Sequence, residues 1–331
     1  MSLQTTTEIT SAVSEFYYRT LLERAMPLLT HELFGQLRPL DTRNGLLGKF
    51  RRYEKLSTTI TPLTQGVPPA STDPTKTDIT ATVKTYGAYI EYTDDVELTT
   101  PDPILTEFNT LLGEQAGESI DILRRDTLVA GTSVSYANGT TRVGLTSAIT
   151  LAVLQKAHRT LRANNANWIR SYLSASTNVG TTPIRSSYVA IVHPHVGYDV
   201  RNLTGFKGVE EYGTMQAIHE SEIGSIPSAG IRFLESTQAK VWIDAGGTAG
   251  STLKSTGASQ ADVYGTLIFG MNAYGLIPLR GNALTTHLKA RGTSGAADAL
   301  DQIGTTGWKA KTTQVILNDN FMVRVESAAS A

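Results

Sequence analysis

Residues 65–77 read QGVPPASTDPTKT, with three prolines, no aromatic residue and one aliphatic residue, Val67. On either side lie segments with strand character, KFRRYEKLSTTITP (49–62) and TDITATVKTYGAYIEYTDD (77–95). Their spacing predicts a long two-stranded ribbon whose tip falls near Ser71–Pro74. In the second strand Ile79, Ala81 and Val83 share one parity, and Tyr86, Ala88, Ile90 and Tyr92 share the other. A one-residue slip turns side chains to the opposite face, and a bulge at Tyr86-Gly87 is the expected way to absorb it. So paired, the strands bring Lys49, Arg51, Arg52 and Lys55 near Glu91, Asp94 and Asp95. Cross-strand pairing inside the ribbon is therefore the first reading of that basic cluster, ahead of DNA contact. A ribbon with so poor a tip buries little within its own chain. Ordering it costs entropy that burial must offset, and a neighbouring chain can supply that burial.

Toward the N-terminus, Val13, Phe16, Tyr17, Leu21 and Met26 recur at mostly helical spacing over Thr10–Met26, and Pro27 stops the run. The following HELFGQLRPLDTRNGLLG (31–48) carries Gly, Pro and Asn breaks and reads as an irregular arm rather than as core.

Beyond the ribbon stands the longest helical signal. Pro101 and Pro103 suit a helix start, and Leu105, Phe108, Leu112, Ala116, Ile120 and Leu123 recur on one face up to Gly131. A helix over 104–130 is a rod of about 40 Å. Gly113 and Gly117 interrupt it at about 1 kcal/mol each against Ala, which predicts close packing or a bend there. A second helix follows in TLAVLQKAHRTLRANN, with Leu151, Leu154, His158 and Leu161 on one face. From Tyr188 the texture changes to short apolar strands: YVAIV before a Pro stop and a helix, IGSIPSAGIRFLES, AKVWIDAGG, and two strands around Gly270. The Gly/Ser/Thr run at 246–259 reads as an exposed loop. Two more strands, Trp308–Leu317 and Phe321–Val325, are joined by Asn318-Asp319-Asn320, a turn sequence. The class is α+β.

Composition removes several functions. The 331 residues are 40% apolar, and 29 basic against 30 acidic residues leave a net charge of −1. A dedicated nucleic-acid binder would carry a basic stripe. Cysteine is absent, which excludes disulfides and thiolate metal sites. No apolar run approaches the ~18 residues of a membrane span, and MSLQTTTEIT shows neither the basic nor the apolar region of a signal peptide. The expectation is a soluble protein with no membrane partner.

Chemistry is thinly represented. His193 and His195, two apart at a strand end, with Asp199 as a third ligand, are the best zinc candidates. Against them, Pro194 forces a turn and no motif of established spacing accompanies the pair, so the expectation is no metal. His158 reads as a half-buried helix residue. Neither a phosphate loop nor a nucleophile elbow is present. Glu210, Glu211, Glu220 and Glu222, flanked by Ser, Gly and Thr, read as a solvated loop. No catalytic residue and no cofactor are expected.

Four segments in order carry a resemblance: YVAIVHPHVGYDV (188–200), IGSIPSAGIRFLES (223–236), VYGTLIFGMNAYGLIPLRG (263–281) and IGTTGWKAKTTQVILNDNFMVRVES (303–327). Together they resemble the major capsid proteins of tailed bacteriophages, nearest to the N-four-like podophages. His195 departs from the pattern, which has an acidic residue there. The resemblance implies the Hong Kong ninety-seven-type capsid fold, with residues 1–45 as N-terminal arm and 46–100 as the extended E-loop. It implies a P domain over 101–185 with a spine helix at 104–130, an A domain over 186–285, and a return to the P domain over 286–331. The function implied is self-assembly into hexamers and pentamers of an icosahedral virion shell around double-stranded DNA, built in the host cytoplasm. Portal, scaffold and decoration proteins are the partners implied, with DNA held on the inner face without sequence specificity.

At the ribbon tip, Val67, Pro68, Pro69 and Lys76 are the expected intersubunit contacts. Some capsids of this fold weld neighbours through an E-loop lysine and an asparagine. No local sequence marks such an asparagine or a catalytic glutamate, so the role expected of Lys76 is noncovalent. The alternatives are an encapsulin-like shell around a protein cargo, a histidine-dependent metal hydrolase, and a secreted adhesin, which would need an export signal.

Overall fold

Long-range strand pairing, more than helix packing, organises the chain in the computed structural model. The described residues are 29–56, 58, 62–63, 65–66, 71–99, 104–169, 186–212, 217–257, 259–289, 300 and 302–331. The helix expected at Thr10–Met26 lies outside them, as do Val67, Pro68 and Pro69. The first half contains β1 (Gln36–Leu37), β2 (Leu47–Tyr53), β3 (Lys76–Thr82), β4 (Lys84–Thr93), α1 (Asp94–Thr99) and α2 (Ile104–Val129). Then come β5 (Val134–Tyr136), α3 (Leu151–Ala163), β6 (Tyr188–Val192), α4 (Pro194–Arg201), β7 (Lys207–Gly208), β8 (Glu222–Ile226), β9 (Ile231–Glu235) and β10 (Val241–Trp242). The last strands are β11 (Val263–Phe269), β12 (Tyr274–Pro278), β13 (Leu284–Lys289), β14 (Ile303–Ile316) and β15 (Met322–Ser327).

Unbroken apolar runs go to the centre of an eight-stranded sheet of order β5-β15-β11-β6-β9-β8-β7, with β10 also on β11. Every residue of β6 and of β11 is buried, as strands covered on both faces require. One covering element is α3, whose Leu154, Ala157 and Leu161 join Tyr188, Phe233, Ile268 and Val325 in a single cluster. His158 on this helix rests on the Tyr188 ring at 5.5 Å, half-buried as its sequence predicts. Asn165 ends the helix in a left-handed conformation, φ 56°.

The second sheet is built around β14. One edge of β14 pairs with β4, from Ile303↔Thr93 to Thr312↔Lys84. The other pairs first with β13 and then with β12, which carries β1 at its far side. Helix α2 lies on this sheet through Leu112, Ala116 and Ile120, against Trp308 and Ala310. Gly113 and Gly117 are both buried on this helix, in keeping with the close packing expected there. Thr306 donates to Asn109 Oδ1 at 2.7 Å across the same contact.

The ribbon differs from its sequence reading. Strand β2 pairs with β3 from Leu47↔Thr82 to Tyr53↔Lys76, as a separate two-stranded sheet. The connection therefore runs over 54–75, and its midpoint precedes Ser71–Pro74. Strand β4 leaves the ribbon altogether for β14. The parity change falls at buried Val83, between two strands, and the pairing of β4 runs without a bulge through Tyr86-Gly87. Gly87 has another cause: a Cβ there would lie 2.6 Å from the Trp308 carbonyl oxygen. The basic cluster does pair within the ribbon, but with other acids. Lys49 and Arg51 share Asp78 at 2.9 and 3.0 Å, and Arg52 pairs with Glu54 at 2.8 Å.

Two of the remaining segments depart from expectation. In the arm, His31 and Phe34 are buried, and β1 pairs with β12. The 246–259 run is a mostly exposed loop where described, as its composition predicts, and it is anchored by Ala249, buried beside Leu145 and Ala328, and by Leu253, bridged to Ser330. The two C-terminal strands do not pair together, because β14 and β15 enter different sheets. For the same reason the sheets cross residue 285: β12 sits with β13 and β14, while β15 sits beside β11.

Candidate intersubunit surface

The ribbon rises from a packed base. Alternation in β2 turns Gly48 and Phe50 inward and Leu47, Lys49, Arg51 and Tyr53 outward. Phe50 packs with Val83 and Ile277, and its ring occupies the place of a Cβ at Gly275, 2.5 Å away. Arg52 adds a bond from Nη1 to the Leu317 carbonyl at 3.1 Å. Beyond this base cover is lost. Tyr53 is 65% exposed, Leu56 51% and Leu63 74%.

Charge follows the same gradient. The Asp78 carboxylate is held below its ordinary range by hydrogen bonds from Lys49 and Arg51. Glu54 is likewise lowered, by the Thr77 hydroxyl and then Arg52. Two carboxylates thus face three cations. Lys55 and Lys76 stand exposed beside them with no carboxylate partner among the described residues. Lys76 opens β3 directly opposite Tyr53. Elsewhere, the outer face of α2 carries Glu107, Leu111, Glu114 and Glu118, spaced along one side of the helix. Leu111 is exposed there, beside exposed Glu107 and Glu118.

The histidine pair is occupied structurally. His193 caps α4, its Nδ1 accepting from the His195 N–H at 3.2 Å, and the rings lie 4.9 Å apart against Tyr264. Burial, and then the adjoining His195 charge, lower the His193 pKa to about 4. Asp199 accepts instead from the Ser330 N–H at 3.0 Å. Among the described residues no group of three or more His, Asp or Glu side chains is placed to hold a metal ion.

Buried polar networks were missed by sequence reasoning. Glu222, read as solvated, is buried and accepts from the Tyr212 hydroxyl at 2.7 Å and from the Ile218 N–H, with Arg232 at 3.5 Å. Its alternation with Gly224 and Ile226 was the available signal. A second network fixes the arm to α2. Asp121 accepts from the His31 N–H at 2.8 Å and bonds its Nδ1 at 2.7 Å, while Arg124 pairs with Glu32. Tyr274 accepts from the Phe34 N–H and donates to the His31 carbonyl. Glu326, fully buried, takes Arg142 and Arg324 together, with Arg142 stacked 3.8 Å above Trp242.

A sheet buried at its centre, a second sheet with a long helix laid on one face, and a ribbon that loses cover beyond Phe50 make an architecture shared with known shells. The capsid of Ralstonia phage GP4 superposes with a TM-score of 0.65 at 12% identity, over 90% of this chain and 88% of that one. The head protein of Helicobacter pylori bacteriophage KHP40 gives 0.62 at 13%, over 90% and 88%. The capsid chain of cyanophage Pam1 gives 0.58 at 13%, over 92% and 93%. At such identities the likeness is one of fold, the Hong Kong ninety-seven type. No curated protein matches the sequence. The family model described as phage capsid protein matches residues 76–308, from the second ribbon strand to the middle of β14. The chain therefore belongs to the phage capsid protein family, and it is a structural major capsid protein.

Proposed function

We propose that copies of this chain assemble into hexamers and pentamers that close an icosahedral shell around packaged double-stranded DNA, and that the ribbon is the arm by which one copy holds the next. The observation that carries this reading is the loss of cover along the ribbon: Phe50 is buried at its base, while Tyr53, Leu56 and Leu63 are exposed farther out. Lys55 and Lys76 lie on the same stretch. The stripe of Glu107, Leu111, Glu114 and Glu118 on α2 offers the opposite charge around an exposed leucine, so we assign it as the seat of a neighbour's ribbon. Val67, Pro68 and Pro69 complete the contact as a stiff segment that loses little entropy on docking.

In this scheme residues 1–45 are the N-terminal arm, 46–100 the E-loop and 101–185 the P domain with α2 as its spine. Residues 186–285 form the A domain and 286–331 return to the P domain. The work of the chain is binding to itself rather than catalysis, and we place the protein in the N-four-like podophage group. Assembly takes place in the host cytoplasm, with portal and scaffold proteins and, where present, decoration proteins. DNA meets the inner face without sequence preference, and a net charge of −1 makes that interaction weak and salt-sensitive.

Negative-stain microscopy and sedimentation of the purified chain test this directly. Shells, tubes or capsomers are expected, and a monomer stable at every concentration and salt would overturn the reading. Deleting residues 66–75 is expected to leave a folded subunit by circular dichroism that no longer closes shells. Normal shells from the deletion would remove the ribbon from the contact.

A further inference from the structure

Between α2 and the β14 sheet lies a chamber of about 380 Å³, walled by Ile120 and Leu123 and by Lys84, Arg124, Thr312 and Gln314. Three of these polar side chains are nearly out of reach of solvent: Thr312 is 6% exposed, Arg124 7% and Gln314 9%. Each leaves hydrogen-bonding capacity unused. The Thr312 hydroxyl, both amide atoms of Gln314 and the Arg124 Nε have no partner. Buried polar atoms are normally bonded, and orphaned ones are costly, so four in one chamber make it a place suited to receive a polar group. Local sequence explains their convergence. Thr312 and Gln314 are two apart in β14 and therefore share its helix-facing side, and Arg124 comes down onto them from α2.

The set of orphans specifies the group. Arg124 Nε can only donate, the threonine hydroxyl can donate, and the glutamine amide supplies one donor and one acceptor. The ligand must therefore present several acceptor oxygens and at least one proton. A carboxylate or a sulfate has oxygens but no proton near neutral pH, whereas a hydrogen phosphate has both. Charge is compatible: Glu32 matches Arg124, the Asp126 carboxylate that also lines the chamber is held by Arg125 and Lys240, and Lys84 stands exposed at the mouth with no ion pair among the described residues.

We propose that this chamber binds a protonated phosphate group, as free phosphate or as the end of a phosphate monoester. The phosphate oxygens accept from Arg124 Nε, Gln314 Nε2 and the Thr312 hydroxyl, and its P–OH donates to Gln314 Oε1. A group held there ties α2 to β14 and stabilises the subunit whenever phosphate is present.

The test is thermal unfolding of the full chain at fixed ionic strength, titrated separately with inorganic phosphate, a nucleoside monophosphate and sulfate. Phosphate is expected to give a saturable rise in Tm, as any ligand selective for the native state does. Sulfate, which lacks the proton, is expected to bind about tenfold more weakly. A rise with the monophosphate as well assigns the site to phosphate monoesters, and a rise with phosphate alone assigns it to the free ion. The paired change Thr312→Val with Gln314→Leu removes the orphans and is expected to abolish the rise while holding or raising the basal Tm. If that protein does not fold, Lys84→Ala at the mouth is expected to weaken phosphate binding several-fold without abolishing it. An absent or non-saturable rise, equal responses to sulfate and phosphate, a rise that survives in the double variant, or one that is unchanged in Lys84→Ala would overturn the proposal.

Discussion

The eight-stranded sheet and the ribbon are built from similarly strand-prone residues, yet the centre of one is buried on both faces and the described residues of the other are largely exposed beyond Phe50. In β6 and β11 every side chain is buried, and helix α3 closes one face. In β2 and β3 burial alternates, and it fades outward from Phe50. On the proposed reading, stability resides in the first region and association in the second. Mutations should divide the same way. Changes in the sheet should unfold the subunit, and changes on the ribbon should leave a sound subunit that fails to meet its neighbour.

The hardest test of this division is Phe233→Ala, which empties a fully buried site beside Tyr188 and Ile268. A loss of about 3–5 kcal/mol is expected in urea unfolding. Leu63→Ala on the ribbon is expected to change subunit stability by less than about 0.5 kcal/mol. Equal losses would erase the distinction. Asp121→Ala comes next, because it strips both the backbone N–H and the Nδ1 of buried His31 of their acceptor. A cost of about 2–3 kcal/mol is expected, measured in the same way. It would show that the arm, irregular in sequence, is bolted to α2.

That arm shows where sequence stops being legible. Periodicity locates elements well: the helix read over 104–130 is Ile104–Val129, and the one opening at Leu151 ends at Ala163. Parity in 77–95 identifies the inward residues correctly as well. What it cannot supply is the partner. Strand β4 pairs with a segment more than 200 positions later, so Gly87 looked like a local bulge when it answers the distant Trp308 carbonyl. The polar networks fail to show for the same reason. His31 finds Asp121 90 residues away, and Phe34 finds Tyr274 240 away, so nothing in HELFGQ announces burial. Of the ribbon contacts, Lys76 alone lies among the described residues.

A smaller effect sharpens the comparison from the side of the core. His193 caps α4 with its unprotonated Nδ1, and burial lowers its pKa from 6.5 to about 4. The unfolded chain therefore takes up the proton first as pH falls. The contribution is complete above about 6.5 and is lost progressively down to about 4. Solvent still reaches the ring, so the loss is only about 1 kcal/mol. His193→Asn keeps a capping side chain without the titration, and its stability should fall less over that interval. Parallel pH curves for the two proteins would show that the ring does not couple to folding.

The smallest effect on the subunit is the most informative about the ribbon. Lys76 is exposed, stands across from exposed Tyr53 and has no carboxylate partner among the described residues, since Lys49 and Arg51 already share Asp78. Removing it disturbs nothing inside the chain, so Lys76→Ala should shift subunit stability by less than about 0.5 kcal/mol. Its effect belongs to assembly. If the side chain meets the acidic stripe of a neighbouring α2, shells of the variant should form more slowly, and added salt should slow them less than it slows the wild type. The contact is noncovalent in this account, so boiled and denatured wild-type particles should run as one band near 35.6 kDa. A ladder of multimers that disappears in Lys76→Ala would reverse that last point: the ribbon would still be the arm, but a welded one.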